Sequence, residues 1–106
     1  MIFINEEIES KEVYKGLSRK ILSYGGNLMV VECHAEKGVK VPIHSHIHEQ
    51  CGYIISGKFQ GIIDNEKTTL TSGDSYYVKP NQEHGLVCLE EGSFLDIFTP
   101  QREDFK

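Results

Sequence analysis

The stretch Gly38-Val39-Lys40-Val41-Pro42-Ile43-His44-Ser45-His46-Ile47-His48-Glu49-Gln50, followed by Gly57 within Ile55-Ser56-Gly57, carries most of what this chain says about itself. In an extended segment, side chains two apart share a face, so His44 and His46 are expected to reach one ion from the same side of a sheet. Gln50 shares their parity and follows an expected bend. A ligand from a distant segment would close the site, and His84 sits in the turn Pro80-Asn81-Gln82-Glu83-His84-Gly85, which can present it rigidly. Imidazole nitrogens suit a divalent transition metal ion, with Ni, Zn, Fe, Mn and Cu all compatible. Each of these histidines taken alone reads as a solvated or hydrogen-bonded side chain. Their spacing, together with the glycines, points to a metal.

Around this segment the pattern is strand, turn, strand. Val13 to Tyr24 alternates loosely, Gly25-Gly26 marks a tight turn and Leu28 to Cys33 is apolar and β-branched, so the three read as a hairpin. Tyr53–Ile55, Phe59–Ile63, Tyr76–Val78, Leu86–Leu89 and Phe94–Phe98 read as further short strands, separated by Ser56-Gly57, Asp64-Asn65, Ser72-Gly73-Asp74, Pro80-Asn81 and Glu91-Gly92. No window sustains a 3.6-residue apolar period; a weak turn around Glu6 to Tyr14 comes nearest. Many short strands with regular turn signals imply an all-β sandwich or barrel.

At 106 residues the expectation is one domain, 1–106, with one core. There is no apolar run long enough for a membrane helix, and the start lacks the basic and apolar blocks of a signal peptide, so a cytoplasmic location is the default expectation. Eleven basic residues scattered among sixteen acids give a formal net charge of −5 and no basic stripe, which argues against nucleic-acid binding. An anionic substrate would need local attraction from a metal and a nearby arginine. Cys33, Cys51 and Cys88 have no CxxC spacing and read as buried thiols, with a redox or metal role for Cys51 as the alternative.

Gly38, His44, His46, Gln50 and Gly57 in this spacing resemble the first cupin motif, and Gly73-Asp74, Pro80 and His84 are similar to the second. The resemblance implies a double-stranded β-helix, or jelly-roll barrel, with a metal at its mouth. Gln50 stands where most cupins have a glutamate, Asn81 replaces a glycine after the proline, and Cys88 lies where an asparagine is common. Glu49 cannot stand in for the missing carboxylate, because a one-residue slip turns a strand side chain to the opposite face. His48 shares parity with His46 and is a reserve ligand.

Within the cupins, Gly16-Leu17-Ser18-Arg19-Lys20-Ile21-Leu22, Asn27-Leu28-Met29-Val30-Val31, the His44–Gln50 segment and the tail Asp96-Ile97-Phe98-Thr99-Pro100-Gln101-Arg102-Glu103-Asp104-Phe105 look like the KdgF-type pectin-degradation cupins. That resemblance implies the conversion of 4,5-unsaturated monouronates, from pectin or alginate breakdown, to linear keto forms. It carries the metal ligands onto His44, His46, Gln50 and His84, and the catalytic group onto Asp96, Phe98 and Arg102. Three imidazoles and an amide oxygen are a neutral set, so a divalent ion there keeps its full charge and favours an anionic ligand. Asp96 is then the expected general acid or base, Arg102 the grip on a carboxylate, and Phe98 a wall against the sugar face.

Blander and rival readings stand beside these. Asp96 and Arg102 could form only a surface ion pair, and Phe98 could be plain core. Tyr53, Tyr76 and Tyr77 could line the barrel as hydrogen-bond donors, although strand propensity already explains them. For the whole protein the alternatives are a cupin dioxygenase or a non-catalytic sugar or small-acid binder. A homodimer through an edge supplied by Met1 to Ile4 is also expected.

Overall fold

The computed structural model describes residues 1–106 and is built from strands, with only short 3₁₀ turns at Asn5–Glu7 and Glu103–Phe105. In chain order the strands are β1 (Lys11–Tyr14), β2 (Leu17–Gly25), β3 (Leu28–Ala35), β4 (Lys40–His44), β5 (Glu49–Ile54), β6 (Lys58–Ile63), β7 (Glu66–Thr71), β8 (Ser75–Val78), β9 (His84–Glu90) and β10 (Gly92–Thr99). They form a six-stranded sheet ordered β1-β2-β3-β10-β5-β8 and a four-stranded sheet ordered β4-β9-β6-β7. Every pairing is antiparallel. This is the all-β jelly roll the sequence implied, and no helix is long and apolar enough to cross a membrane.

The core lies between the sheets and comes from one parity of each central strand. In β3 the buried positions are Met29, Val31, Cys33 and Ala35; in β10 they include Phe94 and Phe98; Ile54 and Phe59 complete the centre. Burying each large side chain contributes roughly 1.5–3 kcal/mol. Leu17, Arg19 and Ile21 continue the inward parity of β2, which makes Arg19 a charged residue at a core-facing position.

The strands that sequence patterning left out are β4 and β7, the two edges of the smaller sheet. An edge strand buries little and so shows little alternation. In β7 only Leu70 is buried, and β4 contains Pro42, which an edge tolerates because the missing N–H breaks no inner ladder. The long Val13–Tyr24 segment is in fact two strands folded at Lys15-Gly16, with Tyr14 paired to Leu17. Met1–Ile4 lie outside every strand; the edges of the larger sheet are β1 and β8. Asp64 and Asn65, both at positive φ, close the β6–β7 hairpin as a primed turn does. Gly57 of the opening signature is required by contact: a Cβ there would lie 2.6 Å from the carbonyl oxygens of Glu90 and Glu91.

One row across the larger sheet prepares the site. Asp96 of β10 pairs with Gly52 of β5, and Gly52 with Tyr76 of β8. The Tyr76 ring lies over Gly52, whose missing Cβ would meet Tyr76 Cζ at 2.0 Å. The phenol thereby reaches across a strand to Asp96.

Cys51 corrects the expectation of three buried thiols. Gln50 and Gly52 face inward, so Cys51 faces out and is exposed, while Cys33 and Cys88 are buried. Burial pushes the Cys33 thiol up to about 12. Native protein should therefore lose one thiol rapidly to Ellman's reagent and the other two only in denaturant; rapid reaction of all three would contradict this packing. Gly52→Ala is expected to destabilise the fold by about 1–3 kcal/mol through overpacking against Tyr76, read as a lower urea midpoint with an unchanged m-value.

Candidate metal centre

His44, the last residue of β4, and His84, the first of β9, are register partners, and their ring centroids are 4.3 Å apart. His46 arrives differently from the expectation. It is not in a strand with His44 but in the irregular Ser45–His48 link to β5, and the link folds back so that its ring comes within 4.7 Å of His84 and 5.5 Å of His44. One ligand atom from each of the three histidines lies within 4.8 Å of the others. The link is tied to the other ligand-bearing turn, because the Asn81 N–H donates to the His46 carbonyl at 2.7 Å. Asn81 takes φ +64°, a left-handed conformation that asparagine accepts almost as readily as the glycine it replaces.

All three rings are oriented by backbone carbonyls. His44 Nδ1 donates to Pro42 O at 2.7 Å, His46 Nδ1 to His48 O at 3.1 Å and His84 Nδ1 to Gln82 O at 2.9 Å. A carbonyl only accepts, so each neutral ring carries its proton on Nδ1 and turns the Nε2 lone pair to the cluster. Burial pushes His84 down to about 4 against the opposing bond to Gln82, with His44 and His46 adding to the fall. Burial lowers His46 too. Both rings are thus kept in the neutral form that a metal needs.

Gln50, buried at the start of β5, completes the set. Its Nε2 donates to Asp96 Oδ1 at 2.8 Å, which forces Oε1 toward His46 Nε2 at 3.0 Å. Those two atoms test the fit. A neutral His46 has one proton for two oxygen neighbours, the His48 carbonyl and Gln50 Oε1, so the second contact sets two lone pairs face to face. His84 Nε2 is buried with no partner at all. Both anomalies vanish if the lone pairs converge on a cation, and 3.0 Å is what neighbouring ligands at about 2.1 Å from an ion and roughly a right angle apart would show. The donor set fits one divalent ion. His48 stands outside the cluster, its ring edge-on to His46 at 5.4 Å. Glu49 is on the outer face, where it accepts from the Tyr77 hydroxyl.

Asp96 lies behind Gln50. It keeps some exposed surface, but its carboxyl is enclosed. Desolvation raises it to about 6, against hydrogen bonds from Gln50 and Tyr76 and the charge of Arg102, all of which pull it down. Tyr76 donates its hydroxyl to the same Oδ1 at 3.0 Å, and burial holds the phenol well above its ordinary value, so it remains a donor. Tyr76 was left without a role on sequence grounds; the signal was Gly52, a glycine at an inward strand position beside it.

The remaining sequence candidates behave less simply. Phe98 is 2% exposed and packs edge-on to His46 at 5.8 Å, so it is core that also backs a ligand. Arg102 pairs with Asp104, not Asp96, through Nε to Oδ1 at 3.0 Å and Nη2 to Oδ2 at 2.9 Å, and its guanidinium lies 4.2 Å over the Phe105 ring. His44, Gln50, His84, Asp96 and Arg102 all border one cavity of about 660 Å³ between the sheets, large enough for a monosaccharide.

The Cupin domain family matches residues 31–98, which contain all four candidate ligands. A curated protein named pectin degradation protein KdgF, from Dickeya dadantii, is 43% identical over 105 residues, covering 97% of this chain and 96% of that protein. Among solved structures, KdgF from Halomonas sp. superposes with a TM-score of 0.95 at 33% identity and full coverage of both chains. An RmlC-like cupin from Shewanella frigidimarina does so with a TM-score of 0.96 at 36% identity, over 99% of this chain and 95% of that one. From the fold, the histidine cluster and these likenesses together, the chain belongs to the cupins and, within them, to the family of the pectin degradation protein KdgF.

Proposed function

We propose that this protein holds one divalent transition metal ion through His44, His46, Gln50 and His84, and converts 4,5-unsaturated monouronates to their open-chain keto forms in the breakdown of pectin or a similar polyuronate. The observation that carries the reading is the convergence of three Nε2 lone pairs and one carboxamide oxygen at the wall of a sugar-sized cavity, with a carboxylate immediately behind. The KdgF likeness supports the substrate class. When bound, the ion supplies Lewis acidity toward a substrate oxygen.

The rest falls to the side chains. Opening the cyclic hemiacetal transfers the C1 hydroxyl proton away, breaks the C1–O5 bond and leaves an aldehyde at C1 and an enol at C5. Ketonisation then removes the enol proton and adds one at C4. Atoms and electrons balance with no oxidant, so the task is proton transfer between positioned oxygens and one carbon. Asp96 is the proton carrier: Gln50 and Tyr76 both bond Oδ1, which leaves Oδ2 without a protein partner and free to face substrate. Tyr76 keeps the carboxyl from turning. Phe98 holds His46 in place through its edge-on contact. The Arg102 charge adds to the attraction for the substrate carboxylate.

The direct test mixes the protein with lyase-generated unsaturated monouronate and follows loss of the conjugated C4=C5 absorbance against a spontaneous control. Acceleration without dioxygen uptake is expected; no acceleration, or stoichiometric oxygen consumption, would exclude the reading. Protein purified without chelator should carry about one divalent ion per chain by elemental analysis, and His84→Ala should lose most of it. Asp96→Asn is expected to keep the metal and to lower kcat by about 10²- to 10⁴-fold. Metal retained in full by the first variant would remove His84 from the ligand set, and unchanged turnover in the second would remove Asp96 from the chemistry.

A further inference from the structure

The cavity has a second guanidinium, and it is the freer of the two. Arg19 borders the cavity from the inward parity of β2, opposite Cys33. The ion pairs of the protein are His34–Glu91, Lys58–Glu90, Arg102–Asp104 and Lys106–Glu103, so Arg19 has no carboxylate partner. Its contact is with Phe105, whose ring centroid lies 3.5 Å from the guanidinium carbon. A guanidinium stacked on a ring uses its face and leaves its N–H donors free along the edge. Arg102 stacks on the same ring at 4.2 Å, but its forked edge is engaged by Asp104.

An arginine is not neutralised by burial in the way a lysine is; it stays charged and calls for an anion. Desolvation is the main influence on Arg19, and Arg102 beside it adds repulsion. Asp104 is paired with Arg102; Asp104 and Asp96 attract Arg19 only from a distance, and no carboxylate touches its guanidinium. The wall of the cavity therefore holds an unsatisfied positive charge with a planar set of donors, which matches a carboxylate. Phe105 is a platform that fixes the plane of those donors, and the Arg102–Asp104 pair holds the 3₁₀ turn bearing it.

Resting on the proposed reaction, we propose that Arg19 is the principal anchor of the uronate carboxylate, presented edge-on by Phe105. A sugar acid bound this way lies with its C6 end on the β2 wall and its reacting C4, C5 and ring oxygen toward Asp96. Discrimination between an acid and its neutral ester would then come chiefly from Arg19, whose planar fork matches a carboxylate and not an ester.

The test compares wild type with Arg19→Gln in steady-state kinetics on the unsaturated monouronate, with saturated galacturonate and its methyl ester as competitive inhibitors. Loss of a charge-assisted pair should raise KM and the inhibition constant of the acid by about 10-fold or more, leave that of the ester within about 3-fold, and change kcat less than KM. Equal shifts for acid and ester, or no shift for either, would overturn the proposal and leave Arg19 as a packing residue under Phe105. Should Arg19→Gln melt early, Arg19→Lys keeps the stem and charge and loses the planar fork; it should show the same selective weakening toward the acid, smaller in size. Inactivity of wild type on the unsaturated uronate would instead sink the proposed reaction, and the acid-versus-ester comparison can still be made by calorimetry with the saturated sugars.

Discussion

One carboxylate oxygen, Asp96 Oδ1, decides the orientation of the site. It accepts from Gln50 Nε2 and from the Tyr76 hydroxyl, and an ionised carboxylate can only accept. The amide of Gln50 is thereby denied its other orientation, in which an N–H would point at the histidines and repel a cation. The constraint reaches back to the sheet register, since Asp96, Gly52 and Tyr76 are paired across three strands. A slip of one residue in β5 would bring Cys51 inside and turn Gln50 to solvent. The candidate metal centre is in this sense a property of how β5 lies between β8 and β10.

The histidines are fixed by a different means. Each ring bonds a carbonyl two residues away in its own segment, so its tautomer is settled locally by backbone shape. Only the bond from Asn81 N–H to His46 O and the His44–His84 pairing bring the segments together. Gln82 adds bracing: its amide donates to Asp64 Oδ2 at 2.6 Å and accepts from Lys79 N–H at 3.0 Å, while its carbonyl orients His84. A site assembled from ready-oriented ligands loses little conformational entropy when an ion enters, which favours affinity without added contacts.

How much of this could be read from the chain follows from what leaves a local trace. The all-β class and the central strands were legible because β3 and β10 alternate buried and exposed residues. The edge strands β4 and β7 were not, because burying one face of an edge requires little patterning. Spacing singled out His44, His46, Gln50 and His84, and the structure brings these side chains together, but by another route for His46: the chain bends after His44, and proximity comes from the loop, not from strand parity. Tyr76 and Arg19 were missed as site residues for a shared reason. Each needed the parity of a neighbouring strand to show that it faces the cavity, and for Arg19 the trace was a cation between inward-facing Leu17 and Ile21. That Arg102 pairs with Asp104 depends on a 3₁₀ turn of one turn only, too short to leave a periodicity.

The charge distribution ties these pieces together. A chain with a formal net charge of −5 exerts no long-range pull on a sugar acid, and screening removes most of what surface charges could add beyond about 10 Å. Selection for an anion must therefore be made inside the cavity. A glutamate at position 50 would cancel part of an ion's charge; the amide there does not, and Asp96, whose negative charge would do the same, is set one residue further back where it meets the ion only through Gln50. On the opposite side the two arginines share one aromatic ring, and a single acid, Asp104, offsets one of them. The sum is a cavity bordered by two arginines, with Asp64 and Glu66 among its other lining residues and Asp96 enclosed behind Gln50. On the proposed reading, an uncharged sugar would leave the Arg19 guanidinium without a direct counter-ion, whereas a uronate would supply one and bring its C4 and C5 carbons toward Asp96.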